Sequence, residues 1–74
     1  MTGDEWKKYA AQTIKAELAR GGIGYEELTR RLHAIGIEES YKGIASKITR
    51  GTFSFLFFMQ CMKAIGVKNI RLKE

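Results

Sequence analysis

The sequence predicts an all-α fold: a compact four-helix domain followed by a short extended C-terminal segment. Three observations predict it. Apolar residues recur at steps of three and four in four successive stretches, the pattern of amphipathic helices. Proline is absent and most of the eight glycines fall where those stretches begin or end, so glycine supplies the punctuation. The chain has 74 residues, room for one domain with one modest core and no second lobe to form a cleft. The expected organisation is therefore a single domain over residues 1–74.

Thr2 and Glu5 have the spacing of a capping box, and Trp6, Tyr9, Ala10, Ile14 and Leu18 then form one stripe. This first helix ends near Arg20, where Gly21 and Gly22 offer a left-handed cap. A second helix begins at about Tyr25, with Glu26 and Glu27 favourably placed in its first turn. Its buried stripe is Leu28, Leu32 and Ile35, and Gly36 is placed to end it. Ile37 drops into the core, and Glu38, Glu39 and Ser40 have the composition of a cap for a third helix over about residues 40–50.

Gly51 ends the third helix. Ser54 or Thr52 caps a fourth, which points Phe55, Phe58, Met59, Met62 and Ile65 inward and closes at Gly66. Residues 67–73 only partly alternate apolar with polar, enough for a short strand or an extended tail. Short connections then pack consecutive helices against one another.

Charge singles out the second half. Residues 1–37 carry six Lys or Arg against five Asp or Glu, whereas residues 38–74 carry seven against three. The formal charge of +5 favours an anionic partner. In residues 40–51, Tyr41, Ile44, Ala45 and Ile48 make an apolar stripe. Lys42, Gly43, Ser46, Thr49 and Arg50 fall opposite, on a face of cations, hydroxyls and small groups that contains no carboxylate. Such a face suits a polyanion, and the stretch reads as a DNA recognition helix. Gly43 has two readings: it lets a partner approach the backbone closely, or it marks a late helix start with residues 38–42 as loop.

The pattern resembles the lambda-repressor-like or Cro-like helix-turn-helix domain. GYEELTRRL resembles the family's second helix, KITRG the end of its recognition helix, and FSFLFFMQCMKAIGV its fourth helix; together they span residues 24–67. The resemblance implies a bacterial or phage-type DNA-binding domain with its third helix in the major groove. By position it assigns Lys42, Gly43, Ser46 and Lys47 to bases or phosphates and Tyr25 to a phosphate at the start of helix two. Arg50 fits the motif. The sequence departs from the pattern between Leu32 and Ile48, where extra residues lengthen the second helix, the turn or both.

Other chemistries find less support. Cys61 is the only cysteine, which excludes an intrachain disulfide and a Cys-rich zinc site and suits a reducing cytoplasm. No apolar run approaches the roughly 20 residues that span a bilayer, and the N-terminus lacks the apolar stretch of a signal peptide. Lone His33 has no nucleophilic partner of known signature, no phosphate-binding glycine loop occurs, and the carboxylate pairs sit at helix starts. No enzyme activity, metal, cofactor, small-molecule substrate or membrane association is expected.

The expected function is sequence-specific binding of double-stranded DNA. Lys42, Lys47, Arg50 and Lys68 contact phosphates, while Ser46, Thr49 and Lys42 read base edges. Leu56 and Phe57 fall outside the inward stripe of the fourth helix and are assigned to a homodimer surface, as a palindromic site requires. Two alternatives stay open: a protein-interaction module using the apolar surface of helix four, and an RNA-binding domain stacking bases on the aromatic run.

Overall fold

The computed structural model describes residues 1–72, and its four helices are α1 (Gly3–Gly21), α2 (Tyr25–Ala34), α3 (Tyr41–Arg50) and α4 (Phe55–Ile65). The predicted all-α, four-helix architecture is the one observed. No strand forms among the described residues. The C-terminal segment runs on without regular structure to Leu72, and Lys73 of the predicted extended stretch lies outside the described residues. No described helix is long and apolar enough to cross a membrane.

Caps set the helix boundaries. At α1 the Thr2 amide donates to Glu5 Oε1 at 2.7 Å and the Glu5 amide donates to Thr2 Oγ1 at 3.2 Å, closing the capping box. Ser40 accepts from the Gly43 amide at 2.9 Å and Ser54, rather than Thr52, from the Phe57 amide at 3.0 Å. Three helices end alike, with the residue beyond the glycine donating back to the last turn. Ile23 bonds the Leu18 carbonyl at 2.9 Å, Ile37 that of Leu32 at 2.9 Å and Val67 that of Met62 at 3.0 Å. Each such turn drops an aliphatic side chain onto the core it has just left.

The core joins all four helices: Ile14 and Leu18 of α1, Leu28 and Leu32 of α2, Ile44 and Ile48 of α3, and Phe57, Cys61 and Met62 of α4, with Ile23 from the first turn. Of the consecutive pairs expected to pack, α2 with α3 does so and the other two do not. α1 and α2 each lie against both α3 and α4, while α1 and α2 do not pack on each other, nor do the backbones of α3 and α4.

Two expected side-chain positions also change. Trp6 is exposed and stacks on Tyr9, ring centroids 6.0 Å apart. The α3 cap Gly51 meets the backbone of the adjacent Lys7, so α3 reaches this level of α1, and Trp6 is exposed because it lies to one side of the buried line Ala11, Ile14 and Leu18. Ile35 is exposed because α2 has already ended, and Ile37 takes its place against the core.

The largest difference is the rotation of α4. Phe57 is buried (4% exposed), as are Cys61 and Met62, whereas Phe55 and Met59 face outward. Phe57 is therefore a core residue and not part of an exposed pair with Leu56. Every residue of α4 except Gln60 and Lys63 is apolar, so apolar spacing alone cannot fix which side faces in.

Candidate nucleic-acid interface

α3 carries the candidate site. Ile44 and Ile48 are fully buried, and the residues diametrically opposite at 100° per residue are Lys42, Ser46, Thr49 and Arg50, all exposed. They form one stripe at i, i+4, i+7 and i+8. Within it the Arg50 guanidinium donates to Ser46 Oγ at 2.9 Å, which fixes both side chains along the helix surface. Tyr41 was expected in the buried stripe but is half exposed, where it meets Tyr25 of α2 edge-on at 6.3 Å. Tyr25 thus stands beside the N-terminal turn of α3.

The flank toward α4 is different. Lys47 donates to Glu39 Oε2 at 2.7 Å and lies over the Phe57 ring, 4.9 Å from its centroid. Its charge is engaged on the protein. Glu39 comes from the six-residue connection between α2 and α3. The connection is the extra length anticipated between Leu32 and Ile48, and it lies in the turn, since α2 has only ten residues. His33 Nε2 lies 2.7 Å from the Glu39 carbonyl oxygen, a hydrogen bond that requires the proton on Nε2. The turn is tied down at both ends of one residue.

Gly43 lies inside α3 rather than ahead of it. The helix starts at Tyr41, so a late start is excluded. A Cβ on Gly43 would lie 3.1 Å from Ser40 Oγ and 3.3 Å from Glu39 Oε1. The missing side chain makes room for the cap and for Glu39 to reach across the first turn toward Lys47. A carboxylate therefore borders a face that the sequence of α3 shows as free of them. Sequence reasoning missed Glu39 as a site neighbour. The only signal for it was its position immediately before the Ser40 cap, beside a helical glycine.

Arg50 also borders a shallow depression shared with Lys47, Thr52, Ser54 and Phe53, where the N-terminus of α4 opens beside the end of α3. Lys68 is elsewhere. It lines a separate depression with Glu17, Arg20 and Arg71, at the end of α1 remote from Lys7 and α3's C-terminus.

Three carboxylates and one thiol are perturbed, and of the carboxylates Glu5 is lowered by its hydrogen bonds with Thr2 in the capping box. Glu17, buried on α1, is held below the usual carboxylate range by its hydrogen bond to Arg20, with further contributions from the charge and backbone of Arg71. Glu27 is lowered in the same way by Arg31 and Arg30. Burial pushes the Cys61 thiol up to about 12, Glu39 adding to the rise and Lys47 opposing it. A thiol so suppressed is a packing group rather than a nucleophile at neutral pH. Among the described residues, no cluster of His, Cys, Asp and Glu is arranged to hold a metal ion.

Fold and surface together define a small all-α domain with one helix face that is cationic and hydroxyl-rich. The chain belongs to the family described as domain of unknown function DUF6471, whose model matches residues 6–70. No curated protein and no solved structure matches it significantly.

Proposed function

We propose that this chain binds double-stranded DNA sequence-specifically, with α3 in the major groove, as a small prokaryotic or phage-type transcriptional regulator of the cytoplasm. The observation that carries this reading is the exposed stripe Lys42, Ser46, Thr49 and Arg50 set opposite the buried Ile44 and Ile48. Ten helical residues extend about 15 Å, a length suited to a groove about 12 Å wide. The charges and hydroxyls stand on the side free to enter it. The resemblance of the α2, α3 and α4 segments to the lambda-repressor-like pattern supports the same docking, with Tyr25 at the start of α2 contacting a phosphate.

Affinity and specificity divide among these residues. Lys42 and Arg50 neutralise phosphates, Ser46 and Thr49 reach base edges with Lys42, and Gly43 keeps the N-terminal turn slim. The free amides of the first turn of α4, beside Arg50 and Thr52, favour a further phosphate. Lys47 contributes only on leaving Glu39. Lys68, with Arg20 and Arg71, is a flanking phosphate contact outside the stripe. This is a binding function and uses no catalytic group or cofactor.

The test is selection from randomised duplex pools across a salt series. A motif enriched at moderate salt, bound with an affinity that falls linearly in log salt, is the expected result. Binding of the whole pool without enrichment would reduce the face to nonspecific charge attraction. A second reading, a protein-interaction module, rests on the exposed apolar face of α4.

A further inference from the structure

We infer that residues 67–72 form a strap docked along α1, and that the buried carboxylate of Glu17 is the latch that holds it. Among the described residues Glu17 is the one buried charged side chain, 5% exposed on a helix whose other buried residues are Ala11, Ile14 and Leu18. A charge covered in this way is tolerated only where it is paired. Arg20, one turn further along α1, supplies part of that pairing through Nε at 3.4 Å and through its Nη2. The rest comes from the far end of the chain. Arg71 lines the same depression as Glu17 and adds a backbone hydrogen bond and its charge.

Apolar packing of this segment ends at Val67. Among the described residues Val67 is the last to pack against the core, and its amide donates to the Met62 carbonyl at 3.0 Å. Ile70 and Leu72 beyond it are exposed, and neither helix nor strand forms there. The path is nonetheless set. Lys68 and Asn69 line one depression with Gly21 and Ile23, and Leu72 lines another with Gln12 and Thr13, so the segment runs back along α1 from its C-terminal end toward its middle. Arg71 borders both depressions, and Glu17 stands on the stretch of helix between them. A polar latch at Glu17 accounts for a course that apolar burial does not.

Glu17 is also the point at which the strap is released. Arg20 faces it from α1 and Lys68 and Arg71 from the segment, while Ile65 of α4 and Gly21 and Ile23 of the first turn bring no titratable group. Protonation removes the one carboxylate charge lining this depression, and the three cations are left to repel one another, so the strap loosens in acid. The latch is independent of DNA binding, and no DNA enters its test. Hydrogen exchange of the full chain read by NMR, with limited trypsin cleavage after Lys68 and Arg71, follows the segment directly. In the wild type at neutral pH the Arg71 amide is expected to be protected. In Glu17→Gln its protection should fall about tenfold or more and cleavage at both sites should accelerate, while the core amides of Leu28 and Ile48 stay protected and mark the opening as local. Arg71→Gln leaves α1 intact and should loosen the segment by itself, which keeps the latch testable where Glu17→Gln does not fold. Acidification through the carboxylate range should move the wild-type Arg71 amide resonance toward its free-chain position, with no such transition in Glu17→Gln. A wild-type Arg71 amide that exchanges at the free-chain rate overturns the inference, as does protection that survives in every variant that folds.

Discussion

Replacing Gly51 by alanine probes the contact that seats α3 on α1. Gly51 caps α3 at φ +67°, and a Cβ built there lies 1.9 Å from the Lys7 carbonyl oxygen and 2.7 Å from its carbon. Both are backbone atoms, so no rotamer change relieves the overlap, and α1 must move by roughly 1.5 Å to restore ordinary contact. The left-handed conformation costs alanine about 1–2 kcal/mol. Forcing the helices apart adds about 1–3 kcal/mol, the range for overpacked cores. Gly66 is the internal control, with φ +76° and no atom within 4 Å of its Cβ. There alanine incurs the conformational cost alone, partly offset by a less flexible unfolded chain. For a domain of this size 1 kcal/mol moves the midpoint by about 4–8 °C. Gly51→Ala should thus lower the thermal midpoint by about 10–30 °C, and Gly66→Ala by no more than about 10 °C. Far-UV circular dichroism is the suitable signal, because Trp6 is already exposed and reports unfolding poorly. Equal losses for the two variants would refute the close approach of Lys7 to α3.

Two further outcomes follow from the ion pairs. Glu39→Gln releases Lys47 from its 2.7 Å contact, so affinity for unselected duplex should rise with a steeper salt dependence, at a stability cost of about 0.2–1 kcal/mol; fluorescence anisotropy and thermal melting read the two. Glu17 has a folded pKa below its ordinary value of 4.5. The unfolded chain then binds more protons near that value, so the contribution of Glu17 is complete above 4.5 and is lost as pH falls through the lower folded pKa. Glu17→Gln should flatten this acid limb of the midpoint against pH, whereas an unchanged limb would place the acid sensitivity elsewhere.

The element boundaries were legible because each rests on local chemistry: Thr2 with Glu5, Ser40 and Ser54 at helix starts, and Gly36, Gly51 and Gly66 at helix ends. The rotation of α4 was not. With apolar side chains on every side, its inward set is decided by what α1 and α2 offer, and the buried choice is Phe57 with Cys61 rather than Phe55 with Met59. Trp6 followed the three-and-four spacing, yet the buried line of α1 runs through Ala11, Ile14 and Leu18 and leaves Trp6 to one side, which spacing alone does not decide. The stripe of α3 was legible because Ile44 and Ile48 leave only one side for Lys42, Ser46, Thr49 and Arg50. The tether on Lys47 was not, because it depends on the path of a six-residue connection and on the space left by Gly43.

The central claim is that the outward stripe of α3 reads DNA sequence, and the affinities of Lys42→Ala, Ser46→Ala and Lys68→Ala for a selected site and for scrambled duplex test it most directly. Lys42→Ala and Ser46→Ala should lose more on the selected site than on scrambled DNA, at about 1–3 kcal/mol of discrimination for a good bidentate base contact. Lys68→Ala should weaken both alike and reduce the salt slope by about one. Equal losses on both duplexes for all three variants would contradict the claim and leave α3 a solvated basic helix.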